Sequence, residues 1–395
     1  MARPLTSGAL AVSYTALAAA GALAQEDTPI ILDDVVVEGQ LIDRTRQDTQ
    51  TSVAVITGEE LDERSDADLY DVIDRTPGVY SSFGEKGFAI RGIDQRGVGG
   101  GGSGLLISTQ VDGATISNNN QLTFFGPYST WDLQQIEILR GPQSTQSGRN
   151  ALAGAIKIRS NDPTYEEEYK VRVEGAERSS GGGAFAVNIP FEEDGFALRF
   201  AGDYFETNGF VDNPTLGTND YDARRQGTFR AGLRVDPTDD IEAILKLSYS
   251  DNQGGEDLVE FATFPEQRLN FSNDESFEGA EILSANFRLN YDVNPNLRLE
   301  SETTYFEGDY ERQEDVDFTA APVGLIFRTS DVTSFETELK ALFEYGEFSG
   351  VFGGFYTNIS EDTNSGGTVP ASLLNPALPA TTIIATTFPT QVDTE

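Results

Sequence analysis

Carboxylates are the most abundant chemically competent side chains in this sequence: 65 Asp and Glu stand against 27 Lys and Arg, with no His and no Cys in 395 residues. Two close acidic pairs, Asp220 with Asp222 and Asp315 with Asp317, could hold calcium or a cationic ligand. Acidic loops more often carry such pairs as hydrated surface, and no metal site is assigned. Without His the commonest metal ligand and general base is missing, which also disfavours a His-ligated haem site. Without Cys there is neither a disulfide framework nor a thiolate metal site. No convergent acid, base or nucleophile stands out among so many carboxylates, so the chain reads as a non-enzyme that needs no cofactor. Gly99, Gly101 and Gly104 formally fit G-x-G-x-x-G. A dinucleotide site, however, needs a helix opening from those glycines, and Leu105 to Ile107 reads as a strand; no Walker lysine follows either. The cluster Gly97–Gly104 is then a loop. The net charge of −38 argues against nucleic acid and leaves solvation, or attraction of cationic ligands, as its meaning.

The elements that would position any site divide the chain in two, since 395 residues with 38% apolar content and 40 glycines exceed one compact domain. Residues 1–24 fit a secretory signal: Arg3, a small apolar run from Ala9 to Ala24, and Ala22-Leu23-Ala24 before Gln25 as an A-x-A-like cleavage site. Elsewhere no apolar run approaches the ~20 residues of a membrane helix, so any spanning structure must be a barrel. Residues 25–48 are polar apart from Val35-Val36-Val37, which Asp33, Asp34, Glu38 and Gly39 flank. Such a run can add as a strand to the edge of a partner sheet, or can be an ordinary strand of the next domain.

Residues 49–161 read as a mixed α/β domain. It opens with the strand Ser52–Ile56 and a capping box from Thr57 to Glu60. A second helix is expected from Asp66 to Arg75, with Ser65 as N-cap, Leu69, Val72 and Ile73 on one face, and Pro77-Gly78 ending it. Strand and turn signals follow at Phe88 to Ile93, Val111-Asp112-Gly113 and Ile136 to Leu139. Asn118 to Gln121 with Phe124-Phe125 reads as a loop apex that could touch a ligand.

From residue 162 to 395 apolar and polar residues alternate in runs of roughly 9–11, the length of a tilted membrane strand. Phe196, Leu198, Phe200 and Tyr204 share one face, with Ala197, Arg199, Ala201 and Asp203 on the other. Phe229, Ala231, Leu233 and Val235 oppose Arg230 and Arg234; Ala285, Phe287, Leu289 and Tyr291 oppose Asn286, Arg288 and Asn290; Phe335, Leu339, Phe343 and Tyr345 oppose Glu336, Glu338, Lys340 and Glu344. Nine strands are expected, near 169–176, 184–189, 196–205, 227–235, 241–250, 281–293, 297–306, 332–345 and 347–357. Tight turns fall at 190–195, 236–240, 294–296 and 346, and long loops at 206–226, 251–280 and 308–331. The polar stretch after Asn358 reads as a further loop. Tyr204, Phe205, Tyr249, Tyr305 and Phe306 suit an interfacial aromatic girdle; a soluble sandwich is the competing reading. Nine strands cannot close a single-chain barrel, so the chain is expected to be an N-terminal piece.

The stretch from Asp132 through Leu139-Arg140-Gly141-Pro142 and Gly148-Arg149-Asn150 to Gly154 and the apolar run Ile156–Ile158 resembles the plug signature of TonB-dependent outer-membrane receptors. Ser144 and Ser147 depart from the Gly and Tyr usual there. Ile90-Arg91-Gly92 is similar to the family's Ile-Arg-Gly element. The resemblance implies an N-terminal mixed α/β plug domain inside an antiparallel transmembrane β-barrel, incomplete in this chain. It also implies that Asp33 to Gly39 is a TonB box, and that Arg91 and Arg140 pair with wall carboxylates to lock the plug. The implied partners are TonB with its inner-membrane energising proteins, outer-membrane lipid, and an external solute, most often a ferric siderophore, with cobalamin or glycans as minorities. A passive plugged porin or adhesin is the alternative function; a secreted enzyme is the third.

Overall fold

The computed structural model describes residues 36–37, 44–45, 52–64, 66, 68–81, 87–95, 106–116, 122, 126, 128–143, 151–191, 195–255, 268–375, 377–379 and 382–394. The segment 1–24, the glycine cluster 97–104, the apex residues 118–121 and 124–125, and Gly148, Arg149 and Asn150 lie outside them, as do Asp33, Asp34, Val35, Glu38 and Gly39. Val36–Val37 forms β1, which pairs antiparallel with β2 (Arg44–Thr45).

β3 (Ser52–Thr57) runs into α1 (Gly58–Arg64) through the expected capping box. The Glu60 amide donates to Thr57 Oγ1 and the Thr57 amide to Glu60 Oε2, each at 3.3 Å. α2 spans Leu69–Arg75, three residues later than the expected start. Asp68 caps it, accepting from the amides of Tyr70 at 2.9 Å and Asp71 at 3.2 Å. Asp66, expected as helical, turns instead to pair with Arg75 in the last turn. Leu69, Val72 and Ile73 are buried as their 3.6-residue spacing requires.

β4 (Val79–Ser81), β5 (Phe88–Ile90) and β6 (Ile93–Asp94) make a small antiparallel sheet. β7 (Ile107–Val111), β8 (Ala114–Thr115), β9 (Leu133–Arg140) and β10 (Gly154–Ser160) join β3 in a five-stranded sheet of order β3-β9-β10-β7-β8. β10 runs parallel to β7 and antiparallel to β9. Asp112 and Gly113 link β7 to β8 with φ of 44° and 79°, the doubly left-handed hairpin turn for which Asp-Gly is suited. Phe88, Ile90, Ile107, Ile136, Ile138 and Ile156 are wholly buried at the centre of this domain.

The second half is one antiparallel meander in which each strand pairs with the next in sequence: β11 (Glu168–Ala176), β12 (Ser180–Phe191), β13 (Phe196–Thr207), β14 (Arg224–Thr238), β15 (Ile241–Gly255), β16 (Phe277–Asn294), β17 (Leu297–Asp315), β18 (Leu325–Tyr345), β19 (Phe348–Pro370) and β20 (Ile383–Thr394). Among the described residues ten strands stand where nine were expected. The tenth, preceded by the short α3 (Ala371–Leu374), lies in the stretch read as a loop. Strands lengthen along the chain from 9 residues in β11 to 23 in β19, so the expected loop 308–331 contracts to 316–324. About 9–11 residues suffice to cross the membrane; the excess lies at one end. Two-residue links at 239–240, 295–296 and 346–347 mark the turn end. The connections 208–223, 256–276, 316–324 and 371–382 mark the loop end, and there the strands carry polar residues on both faces, which erases the alternation that hydropathy reads.

Below that extension the alternation holds. Phe229, Leu247, Tyr249, Phe287, Tyr305 and Phe335 are 40–46% exposed on the outer face. Tyr204, Tyr249 and Tyr305 donate their hydroxyls to Glu206, Glu281 and Glu307 on that face, at 2.9, 3.3 and 3.0 Å. Phe306, expected in the girdle, is 1% exposed and faces inward. Adjacent residues on a strand point to opposite faces, so a Tyr-Phe pair supplies one girdle residue, and the same rule sets Phe205 opposite Tyr204. Phe306 joins Ala280, Ile282, Tyr310, Val332 and Ile359 in one core with the first domain. The sheet thus wraps that domain on its inner face.

Candidate functional site: the plug against the barrel wall

The first domain touches the wall along two different kinds of surface. Each strand from β13 to β16 presents a cation to the plug: Arg199, Arg230, Lys246 and Arg288. Arg199 is 4% exposed and grips Asp132, itself 2% exposed, with two nitrogens; its Nη1 also donates to Glu168 Oε2 at 2.8 Å. Asp132 sits just before β9 with φ of 56°, a left-handed conformation that Asp tolerates better than most residues. Its carboxylate also accepts from Asn161 Nδ2 at 2.9 Å. Arg230 Nη1 donates to the Trp131 carbonyl at 2.7 Å. Trp131, the single tryptophan, donates from its indole to the Phe185 carbonyl of β12 at 2.8 Å and packs against Ala184, Ala186 and Ala201.

Lys246 is the most completely engaged cation. Its Nζ lies 2.7 Å from Asp162 Oδ1, 3.1 Å from Asp112 Oδ1 and 2.7 Å from the Ser160 carbonyl. Asp112 is backed by the Ser160 amide at 3.0 Å and hydroxyl at 2.7 Å. Arg288 holds the other oxygen of Asp162. Burial alone would raise the pKa of Asp112, but Lys246, Ser160 and Arg230 override it and hold the carboxyl below its ordinary range. Asp162 is likewise pushed up by burial and driven down further by Lys246 and Arg288. Gly232, in register between Arg199 and Lys246, would place a Cβ 2.9 Å from Pro163 Cγ, so its lack of a side chain lets the chain after β10 lie against the wall.

On β17 and β18 the wall changes sign. The row that carries Arg288 continues through Glu302 to Glu338, and the row that carries Lys246 continues through Asn286 and Thr304 to Glu336. Lys157 of β10 faces this side; burial lowers its pKa while Glu137, Glu302 and Glu338 oppose the shift. Between plug and wall lies a partly open cavity of about 90 Å³ lined by Gln110, Asp112, Gln135, Glu137, Lys157 and Glu302. It is polar and roomy enough for water. Nearby, Thr115 Oγ1 donates to Glu336 Oε2 at 3.0 Å. Toward the loop end the contact is apolar, with Leu122 against Gly308 and Phe306.

The expected lock, plug arginines on wall carboxylates, is not formed among the described residues. Arg140 Nη1 donates to the Pro77 carbonyl at 2.7 Å, within the plug, and Arg91, exposed in the turn with Gly92 between β5 and β6, lies beside Gly141. Pro142 follows Gly141 at the end of β9. The charged contacts that do form have the opposite polarity, acids on the plug and bases on the wall. Arg199, Arg230 and Arg288 were legible as inward residues, and Asp112 and Asp132 lay in recognised motifs. Their pairing was not legible, although one cation on the inner face of each of four successive strands was the available signal. The acidic pairs serve as loop caps: Asp222 accepts from the amides of Phe210 and Val211, and Asp315 from those of Asp317, Phe318 and Asn273.

Comparison with known proteins agrees with this architecture. Residues 45–155 match the family model described as TonB-dependent Receptor Plug Domain. The chain is 26% identical over 179 residues to the ferrioxamine B receptor of Salmonella typhimurium, covering 45% of this chain and 25% of that protein. It is 26% identical over 193 residues to the vitamin B12 transporter BtuB of Vibrio vulnificus, covering 47% and 30%. It is 30% identical over 154 residues to the ferric enterobactin receptor PirA of Pseudomonas aeruginosa, covering 35% and 20%. The chain therefore spans less than a third of the length of these relatives. Among solved structures, the ferric yersiniabactin uptake receptor FyuA from Yersinia pestis superposes with a TM-score of 0.71 at 19% identity, over 82% of this chain and 50% of that one. The chain thus carries a region matching the plug domain of TonB-dependent receptors, seated on a run of strands with the fold of such receptors' barrels.

Proposed function

We propose that this receptor is an energised outer-membrane transporter that binds a scarce external solute and passes it to the periplasm. The observation that carries the reading is a folded domain fastened by buried ion pairs to the inner face of the barrel wall, where a passive pore would hold water. Plug apices and loop-end connections capture the solute from outside, and the turn end faces the periplasm. Occupancy exposes Asp33 to Gly39, the TonB box, to TonB, which inner-membrane proteins energise. Force on the box then shifts the plug. Such coupling requires that solute affinity differ between the box-docked and box-released states. Residues 1–24 direct export, Arg91, Gly92, Arg140, Gly141 and Pro142 maintain the plug's turns, and Gly148, Arg149 and Asn150 belong to the same plug signature. The solute is a ferric siderophore, the class for which most of the curated relatives are named; cobalamin is the second reading, favoured by the similarity to a vitamin B12 transporter.

The test uses the absence of cysteine from this chain. In the full-length receptor a Val36→Cys substitution is cross-linked to a Cys-bearing TonB across a panel of ferric siderophores and cobalamin. A rise in yield with one ligand class supports the transporter and names its solute. Constant yield with every ligand, or none at all, sinks the box assignment and leaves a passive receptor or porin.

A further inference from the structure

We propose that the solute is an anionic ferric complex, one that presents carboxylate or catecholate oxygens, and that Arg328 on the inner face of β18 receives it. The inference rests on the transporter reading and adds to it the charge of the cargo and a residue that selects it. Arg328 lies near the loop-end start of β18, beyond the level at which Tyr305 and Phe335 stand in register. It shares a face with Ser330, Val332 and Ser334, all buried, because side chains two apart on a strand point the same way. That is the face that meets the plug. What marks Arg328 is the lack of a counterion in a chain with 65 carboxylates. Arg199, Lys246, Arg288, Arg312 and Lys340 are each held by an acid, and Arg230 by a carbonyl. Among the described residues Arg328 makes no ion pair and no hydrogen bond.

Directly opposite Arg328 stands Arg312, and like charges so placed repel. Arg312 is answered by Glu278 at 2.6 Å and by Glu314, which leaves the charge of Arg328 uncompensated. On its other side Ser365 is in register and too short to cover the guanidinium. A half-buried guanidinium with its donors unused is a fork for a bidentate oxyanion group. Acids are abundant near this height, but on the other face. Asp251, Glu281, Asp309, Asp331 and Asp362 stand directly opposite one another on β15 to β19. Their spacing from Tyr249, Leu283, Tyr305 and Phe335 turns them outward. The loop end is thus polarised across the sheet, since the neighbouring inward row carries Arg224, Arg312 and Arg328 with Glu278 as its single acid. An excess of one sign inside a walled mouth concentrates the opposite sign there, so an anionic complex is drawn inward and a cationic one is not.

Equilibrium binding to the purified full-length receptor tests this, with ferric enterobactin and ferric citrate as anionic probes, cobalamin as a neutral one and ferrioxamine B as a cationic one. An anionic complex should bind more tightly than the neutral and cationic probes, and more weakly as salt rises. Arg328→Gln should weaken that complex about tenfold and Arg328→Glu further, while Arg328→Lys keeps part of the affinity. Maleimide labelling of Pro163→Cys in rising, sub-denaturing urea should be the same in all three variants, which keeps a folding defect from imitating the result. Tightest binding of cobalamin or ferrioxamine B, no binding of either anionic probe, or anion binding that ignores Arg328→Gln and Arg328→Glu overturns the proposal. If Arg328-dependent anion binding holds while the Val36→Cys cross-link to TonB never responds to that ligand, the transporter reading fails and the anion site stands.

Discussion

The two flanks of the plug are made from the same residue types yet behave as opposite kinds of interface. Against β13–β16, acids of the plug meet bases of the wall in pairs with little or no access to water. Against β17–β18, a lysine of the plug meets acids of the wall around a cavity. The difference teaches that the sign of a charge pair decides little here; burial and geometric completeness decide whether it holds. A carboxylate paired in open solvent contributes on the order of a surface salt bridge, ~0–1 kcal/mol. A buried pair that loses one partner costs several times more.

The largest effect expected follows directly. Arg199→Gln leaves Asp132 buried without its cation and should destabilise plug seating by about 3–5 kcal/mol. Urea-dependent labelling of Pro163→Cys in the full-length receptor reads this as a lower midpoint. Asp132→Asn, which suits the left-handed backbone at that position, should cost a similar amount. The double variant should cost clearly less than the sum, because each substitution removes what the other would strand. Additive costs would show that the pair does not act as a unit and would erase the contrast between the flanks.

How much of this was readable beforehand depended on what each residue answers to. The inward placement of Arg199, Arg230 and Arg288 was legible because strand alternation is a local property. The α1 cap was legible for the same reason. The start of α2 was displaced because Asp66 is claimed by Arg75, a tertiary pairing that outranks helix propensity. The upper halves of β17 to β19 were read as loops since their polar residues break the alternation; ladder pairing along β18, from Leu325 through Tyr345, holds them instead. The plug motifs marked Asp132 and the Asp112-Gly113 turn, but not the cations 67 and 134 residues away that they meet. Those pairings arise only once the sheet curves around the plug.

Proton linkage offers an intermediate effect of the same sign on the two sides but in different pH windows. Asp112 and Asp162 have depressed pKa values in the folded receptor. Their contribution is therefore complete above the unfolded value, about 3.9, and is lost as pH falls below it toward the folded values. Lys157 has a pKa lowered by burial, so the folded state binds its proton more weakly than the unfolded chain does. Seating on that side should strengthen as pH rises from the depressed value toward the ordinary one, about 10.4. Labelling of Pro163→Cys should accelerate below about pH 4, and labelling of Thr115→Cys should slow as pH rises toward the ordinary lysine value, about 10.4. A common pH response at both cysteines would merge the flanks into one interface.

The smallest expected effect isolates the weak side. Thr115→Val removes the hydroxyl that donates to Glu336 at 3.0 Å while keeping the branched shape that β8 accommodates. A neutral-to-charged hydrogen bond of this kind contributes about 1.5–3 kcal/mol when its acceptor has no substitute. Glu336 also accepts from Thr357 Oγ1 at 3.5 Å, so it keeps a second donor and the cost should fall to about 1 kcal/mol or less. Measured by urea-dependent labelling of a single Cys at Pro163, the shift should be a small fraction of that caused by Arg199→Gln. A shift as large as the Arg199 variant's would mean that the β17–β18 contact bears as much of the plug's attachment as the ion pairs do.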